Sequence, residues 1–376
     1  MNNINNKAQY LKLFFVLNKK KIQKIISGND FLIALIVCLA VIGVTIGIGL
    51  SSDNIVTLFS KYNYLYHSKD PLRLLSNWDG PRYIYIAKHG YRSVFDSNFF
   101  PLYPLLIRFL HYLINSYLLC ALFISWMSMI GATYFFIKIG RLLNWIKKPS
   151  EAAASLIPFV LFPTAIFLVA TYTEPLLAVI ALSSIYFSLK KQWLAILPLV
   201  FLCPLSHITG LFVIIFDALI LWEEKVHPAK ILATITCGSA GLIPFMIYLQ
   251  EKFHNPLSFV TAQEEYHGWL GHKYLLFIQD SGFFNILCVV LIIVTAIYFW
   301  KIRKSFSIYS LLFLLIPIVG GQWGGFNRYV LMAFPVQYML FLVAKKHKHI
   351  LIPGLILMTV FWAYTAMIYM EGYIGS

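Results

Sequence analysis

Apolar runs near residues 31–50, 118–138, 152–171, 175–189, 194–206, 208–222, 230–250, 283–300, 306–320, 329–344 and 350–370 recur along this chain, separated by short polar loops. A run of about 20 apolar residues matches the hydrocarbon thickness of a bilayer. With no water there to receive backbone N–H and C=O groups, such a run must be helical. Composition agrees: 60% of the 376 residues are hydrophobic, 12% are charged and mean hydropathy is +0.75, which excludes an ordinary soluble domain. The expected fold class is an all-α integral membrane protein, a polytopic helical bundle with about 11 transmembrane helices. Residues 1–376 read as one transmembrane domain, with no soluble domain, low-complexity segment or repeat.

The formal net charge is +15, yet the basic residues fall mainly in short loops between apolar runs. That pattern fixes orientation in a membrane, so membrane lipids are expected as partners and nucleic acid is not. Lys7, Lys12, Lys19, Lys20, Lys21 and Lys24 precede the first run, which is long enough to span and has no small-residue cleavage site after it. It reads as a retained helix entering from the cytoplasm. The basic loops at 141–148, 190–191, 225–230, 301–304 and 345–348 then fall on that same side, and the C-terminus ends outside. The expected location is the plasma (inner) membrane. Counting 99–114 as a further span would invert the later loops; with its prolines, Arg108 and His111 it reads as an interfacial or re-entrant helix. The same parity argument splits 193–222 into two short spans broken at Pro204. Residues 51–115 thus form a first extracytoplasmic loop bearing interfacial helices. Cys38, Cys120, Cys203, Cys237 and Cys288 all lie inside apolar runs without paired spacing, so they read as packing residues.

Polar chemistry gathers on the outer side. Asp79, in Trp78-Asp79-Gly80-Pro81-Arg82-Tyr83, and Glu174, in Tyr172-Thr173-Glu174-Pro175, lie beside apolar helices, where an ionised carboxylate is costly unless paired or facing water. Each can also be read as the acid at a helix start, with proline in the first turn. Arg328 follows a glycine-rich loop and precedes Tyr329; its guanidinium offers fork-like donors that suit a phosphate, or it anchors the chain at the interface. His207 lies at an outer helix end, where it can meet a phosphate or be satisfied by a neighbouring helix. The outer acids lack paired ligand spacing, so no metal or other cofactor is indicated, although Glu174 with Asp79 leaves a divalent ion open.

Trp78-Asp79-Gly80 with Tyr83, Ile86-Ala87 and Gly90-Tyr91, the run Phe99-Phe100-Pro101-Leu102-Tyr103-Pro104, Phe162-Pro163-Thr164-Ala165 leading to Tyr172-Thr173-Glu174, residues 253–259 with Ala262-Gln263, and Asn327-Arg328-Tyr329 occur in a characteristic order. This set resembles the bacterial branch of the GPI mannosyltransferase II family, the PIG-V-like membrane glycosyltransferases of the GT-C class. The resemblance implies a GT-C-like bundle, a polyprenyl-phosphate-linked sugar as donor, a lipid or glycan acceptor, and chemistry on the extracytoplasmic face. It also implies an acid in the first outer loop acting at the acceptor hydroxyl, a role Asp79 matches by position. Trp78, Arg82, Tyr172, Glu174, His207, Arg328 and Tyr329 are the expected substrate-binding residues. One departure stands out, because family members often carry arginine where this chain has His207. The competing reading is a multi-pass transporter or flippase of a lipid-linked sugar, which should show internal repeats and a midplane ionisable site. Here no repeat is visible, and the acids cluster at the outer end, Asp217 excepted.

Overall fold

The computed structural model describes residues 29–52, 71–267, 282–320 and 325–370. Residues 1–28, with the N-terminal lysines, and residues 53–70, 268–281, 321–324 and 371–376 lie outside the described residues. Among the described residues every regular element is helical. In chain order the main helices are α1 (Asp30–Ser52), α2 (Asp79–His89), α3 (Leu102–His111), α4 (Tyr117–Leu142), α5 (Pro149–Val160), α6 (Glu174–Leu189), α7 (Trp193–Ser206) and α8 (Gly210–Glu223). They continue with α9 (Pro228–Ala240), α10 (Ile243–Phe253), α11 (Ser258–His267), α12 (Phe283–Trp300), α13 (Lys304–Leu312), α14 (Phe326–Val330), α15 (Phe334–Lys346) and α16 (Lys348–Met370).

Four helical stretches among the described residues reach at least 18 residues with the apolarity of a membrane crossing: Asp30–Ser51, Tyr117–Leu142, Pro228–Phe253 (α9 and α10 together) and Ile352–Met370. Shorter apolar helices accompany them, Glu174–Leu189 and Trp193–Ser206 included. Their side chains confirm the environment. On α12, Cys288, Ile292, Thr295 and Phe299 are buried, whereas Ile286, Val290, Ile293 and Ile297 form an exposed stripe on the other side. A helix apolar on both faces needs protein on one side and lipid on the other. The chain is a helical membrane protein.

Polar contacts fix how the helices run. Arg141, near the end of α4, binds Asp30 at the start of α1 through its Nε, 2.8 Å from each carboxylate oxygen. Lys345, near the end of α15, reaches Glu151 in the first turn of α5 at 2.9 Å. Lys191, just past α6, pairs with Glu224, just past α8, at 3.4 Å. Arg303, between α12 and α13, pairs with Glu223 at 3.2 Å. Trp145 joins these groups, its ring 5.5 Å from both Phe299 and Phe306. Residues from basic loops far apart in sequence thus meet at one end of the bundle. α6, α8 and α15 all start at the opposite end, and α16 finishes there.

Two expectations need correction. The run at 152–171 is not one helix: α5 stops at Val160, the chain turns through 161–165, and only Ile166–Val169 is helical again. Pro163 has no N–H to continue the ladder and disfavours helix in the residue before it. The short helix is wholly buried, so the run ends inside protein and returns Thr171–Glu174 to the bundle's end. The break between α7 and α8 falls at 207–209; Pro204 itself lies within α7. Residues 99–114 contain the amphipathic α3, which buries Tyr103 and Ile107 and exposes Leu105 and Phe109. Arg108 Nε ties it to α2 by donating to the Ala87 carbonyl at 2.7 Å.

Candidate functional site

The end where α6, α8 and α15 begin is organised around Asn77. Its backbone N–H donates to Tyr369 Oη at 3.2 Å, and its side-chain amide donates to the carbonyls of Tyr369 and Met370 at 3.0 Å each. The loop before α2 is therefore pinned to the end of α16. Trp78 follows with φ 57° and ψ −106°, a backbone conformation that costs about 1–3 kcal/mol for a residue with a side chain. A second strap comes from Thr171, whose N–H donates to the Leu75 carbonyl at 2.9 Å. Gly80 lets these segments touch, because a Cβ there would collide with Thr171 Oγ1. Asp79 opens α2 between the two straps, and its N–H donates to Tyr172 Oη at 3.2 Å.

Asp79, Glu174 and Arg328 meet. Arg328 Nη1 donates to Asp79 Oδ2 at 2.7 Å. Arg328 Nε lies 3.0 Å from Glu174 Oε1, an ion-pair distance without hydrogen-bond alignment. Nη2 donates to Tyr329 Oη at 3.3 Å. The guanidinium also lies over the rings of Phe167 and Tyr172, each centroid at 5.5 Å, and of Tyr329 at 5.2 Å. Such aromatic faces favour a cation and hold it flat. The side chains of Arg328 and Glu174 are 7% and 3% exposed, that of Asp79 25%. One positive charge between two negative ones gives a net charge of −1 with both acids ionised. Glu174 Oε2 is buried without a hydrogen-bond partner.

These contacts show how both acids sit at their helix starts. The Asp79 carboxylate binds Arg328 rather than capping α2, whose preceding residue, Trp78, supplies no side-chain cap either. Glu174 does begin α6, with Pro175 in its first turn, and pairs with Arg328 as well. Tyr172 lines the guanidinium and donates to the Asn77 carbonyl at 3.4 Å. Trp78 precedes Asp79 and is half exposed.

His207 borders the cluster, with its ring 5.4 Å from that of Tyr329. The Thr209 N–H donates to Nδ1 at 3.2 Å, which places the ring proton of the neutral imidazole on Nε2. Burial, and then the charge of Arg328, push the imidazole down to about 3, so it is uncharged at neutral pH. Arg82 is the exception among the expected residues. It pairs with the buried Asp96 at 3.4 Å and lies over Phe95 at 4.9 Å, so the structure does not bring it to the cluster. The physical reason is local: Asp96 accepts from the backbone N–H groups of Arg92 and Ser93 and forms a fixed anion beside α2.

Four residues that sequence reasoning gave no role also build the site: Asn77, Phe167, Thr171 and Tyr369. Tyr83, one turn after Asp79, is buried against Tyr103 and Tyr172 at 5.2 and 6.4 Å. Burial first, then Glu174 and Asp79, raise its phenol well above the usual range, so it stays protonated beside the acids. Among the described residues no group of three or more His, Cys, Asp or Glu side chains gathers as a metal site, and both acids of the cluster face a guanidinium.

Residues 56–222 match the family model described as Mannosyltransferase (PIG-V). The matched stretch includes Trp78, Asp79, Arg82, Tyr172, Glu174 and His207; Arg328 and Tyr329 lie beyond it. Comparison with curated proteins finds no match. Over residues 56–222 the chain is PIG-V-like, which supports a membrane glycosyltransferase with a sugar donor and an acceptor.

Proposed function

We propose that this PIG-V-like membrane protein moves a sugar, mannose or another hexose, from a polyprenyl-phosphate-linked donor to a lipid- or glycan-linked acceptor, with inversion and with Asp79 as base. The observation that carries this reading is the pairing of Asp79, the most exposed of the three charged groups, with a guanidinium seated in an aromatic slot. In the proposed reaction Asp79 takes the proton of the acceptor hydroxyl as that oxygen attacks the anomeric carbon. The bond from the anomeric carbon to phosphate oxygen breaks on the opposite face, and the polyprenyl phosphate leaves with the electron pair. General-base help is worth about 100- to 10,000-fold. Arg328 offsets charge on the leaving phosphate, where fixed donors in a water-poor site act most strongly. His207 contributes an uncharged Nε2–H donor, in place of the cation that family members often carry there. Trp78, Tyr172 and Tyr329 wall the sugar, and Glu174 anchors Arg328.

The whole chain acts as one transmembrane domain of the GT-C type. Eleven crossings place the N-terminus and the basic loops in the cytoplasm, and the cluster and C-terminus outside, at the plasma membrane. That face has no ready supply of nucleotide sugars, whereas a lipid carrier is delivered within the bilayer. Purified protein should transfer sugar from a synthetic polyprenyl-phosphate sugar and leave nucleotide sugars untouched; turnover with a nucleotide sugar alone, in lipid-free protein, would overturn the reading. Single cysteines at 301–304 and at 320–328 should react with an impermeant reagent in intact cells only at the second site. The reverse labelling pattern would put the cluster in the cytoplasm.

A further inference from the structure

We infer that the donor's phosphate and Asp79 compete for one edge of Arg328, so that donor binding itself releases the base. The inference rests on the reading of Asp79 as base and of the donor as a phosphate-linked sugar.

The geometry leaves few ways for an anion to enter. A phosphate engages a guanidinium best through two parallel N–H donors, and the outward pair is Nη1 and Nη2. Asp79 already holds Nη1 at 2.7 Å, while Nη2 is drawn to Tyr329 Oη at a weaker 3.3 Å. The guanidinium carbon lies over the rings of Phe167, Tyr172 and Tyr329, 5.2–5.5 Å from their centroids. Nε points at Glu174, and the whole side chain is 7% exposed. An incoming phosphate therefore meets two carboxylates and, among the described residues, one cation that is already paired. One carboxylate has to yield.

Burial decides which. The Glu174 side chain is 3% exposed, and its Oε2 lacks a partner already, so separating it from Arg328 would strand a buried charge. The Asp79 side chain is 25% exposed, and its short arm can turn toward the acceptor side without moving the strapped backbone. Once displaced, the carboxylate loses the cation that held its negative charge and gains an anionic neighbour. The base is thus tied to Arg328 in the resting site and free to meet the acceptor hydroxyl when donor is seated, which makes donor binding the productive first step.

A polyprenyl methyl phosphate tests the exchange, because it carries one negative charge, as the donor does, and has no sugar to transfer. Its affinity is measured in detergent for wild type, Asp79→Asn, Arg328→Ala and the double variant, with melting temperature and gel filtration as checks of fold. Asp79→Asn should bind the probe about 10-fold tighter than wild type, since the carboxylate that competes for Arg328 is gone. In the Arg328→Ala background the same change should give no such gain, because there is no shared edge left to free. Equal or weaker binding by Asp79→Asn overturns the exchange, as does a gain that persists without Arg328. If the arginine variants fail to fold, the comparison of Asp79→Asn with wild type decides alone. Failure of both folded proteins to bind the probe would instead overturn the donor reading on which the exchange rests.

Discussion

Where α6 and α8 end, Glu223 and Glu224 share Arg303 and Lys191, whereas where the same helices begin, Asp79 and Glu174 share, among the described residues, only Arg328. The first network is saturated. Glu223 Oε1 accepts from the Ser305 N–H at 2.7 Å, its Oε2 accepts from Ser305 Oγ at 2.7 Å, and Glu224 holds both cations. The second keeps an acid oxygen without a partner, a cation flattened between rings and a strained residue before the exposed acid. An open cleft of about 910 Å³ lies beside the first network, lined by Trp222, Lys225 and Lys304 among others, but the acid on its wall, Glu223, is already satisfied. Charge density alone does not mark a reaction centre here. In the proposed reading, incomplete satisfaction beside a pair that a substrate can replace does, because there a substrate can supply what the protein leaves out.

The largest effect should come from Asp79→Asn. The amide keeps the shape and can still face Arg328, but it cannot accept a proton, so turnover should fall about 100- to 10,000-fold while the melting temperature stays close to wild type. Loss of only a few-fold would remove the distinction between the two ends. The counterpart, Glu223→Gln, should leave turnover nearly unchanged.

Stability sharpens the comparison from the other side. Arg328→Ala strands the buried Glu174 carboxylate, a change worth about 3–5 kcal/mol when the partner of a buried ion pair is removed. Arg303→Ala leaves Glu223 with both Ser305 donors and Glu224 with Lys191, and these side chains are about a quarter exposed. Its cost should be about 1–2 kcal/mol. Denaturant unfolding in detergent measures both, and equal losses would mean that the two networks serve the same structural purpose. Arg328→Lys should recover part of the donor use lost in Arg328→Ala, since it keeps the charge but not the planar fork.

Much of this contrast was written in the sequence, though unevenly. Apolar run lengths and the spacing of basic loops mark the helices, because hydrocarbon thickness and backbone satisfaction leave little choice. They do not reveal that the run at 152–171 breaks at 161–165 and that Ile166–Val169 lies inside protein, since an apolar residue facing protein and one facing lipid look alike. Asp79, Glu174 and Arg328 stand out as charges beside apolar helices, yet nothing local says that one guanidinium serves both acids, with 249 positions between Asp79 and Arg328. Asn77 and Tyr369 pin the site through pairings separated by 292 positions, with no periodic signal to announce them. Arg82 shows the opposite failure: its place near Asp79 in sequence pointed to the cluster, and the nearer fixed anion, Asp96, took it.

The smallest effect concerns Glu151, a structural acid near the Glu223 network, and it separates the two kinds of carboxylate by pH. Glu151 Oε2 accepts from the Lys147 N–H at 2.7 Å and from Lys345 Nζ at 2.9 Å. The Lys147 backbone donor first, and then Lys345, hold its carboxyl at about 2, against an ordinary value of 4.5. A group whose folded value is depressed stabilises the fold above the unfolded value and loses that contribution as pH falls toward the folded one. The Glu151 contribution should therefore be complete at neutral pH, begin to fade near 4.5 and be gone close to 2. Because other carboxylates titrate in the same window, the useful measurement is the difference in melting temperature between wild type and Glu151→Gln, taken at several pH values. That difference should favour wild type above the window and shrink steadily through it. A difference that stays constant with pH would mean that Lys147 and Lys345 do not hold the charge, and that this end of the bundle is less completely paired than its geometry indicates.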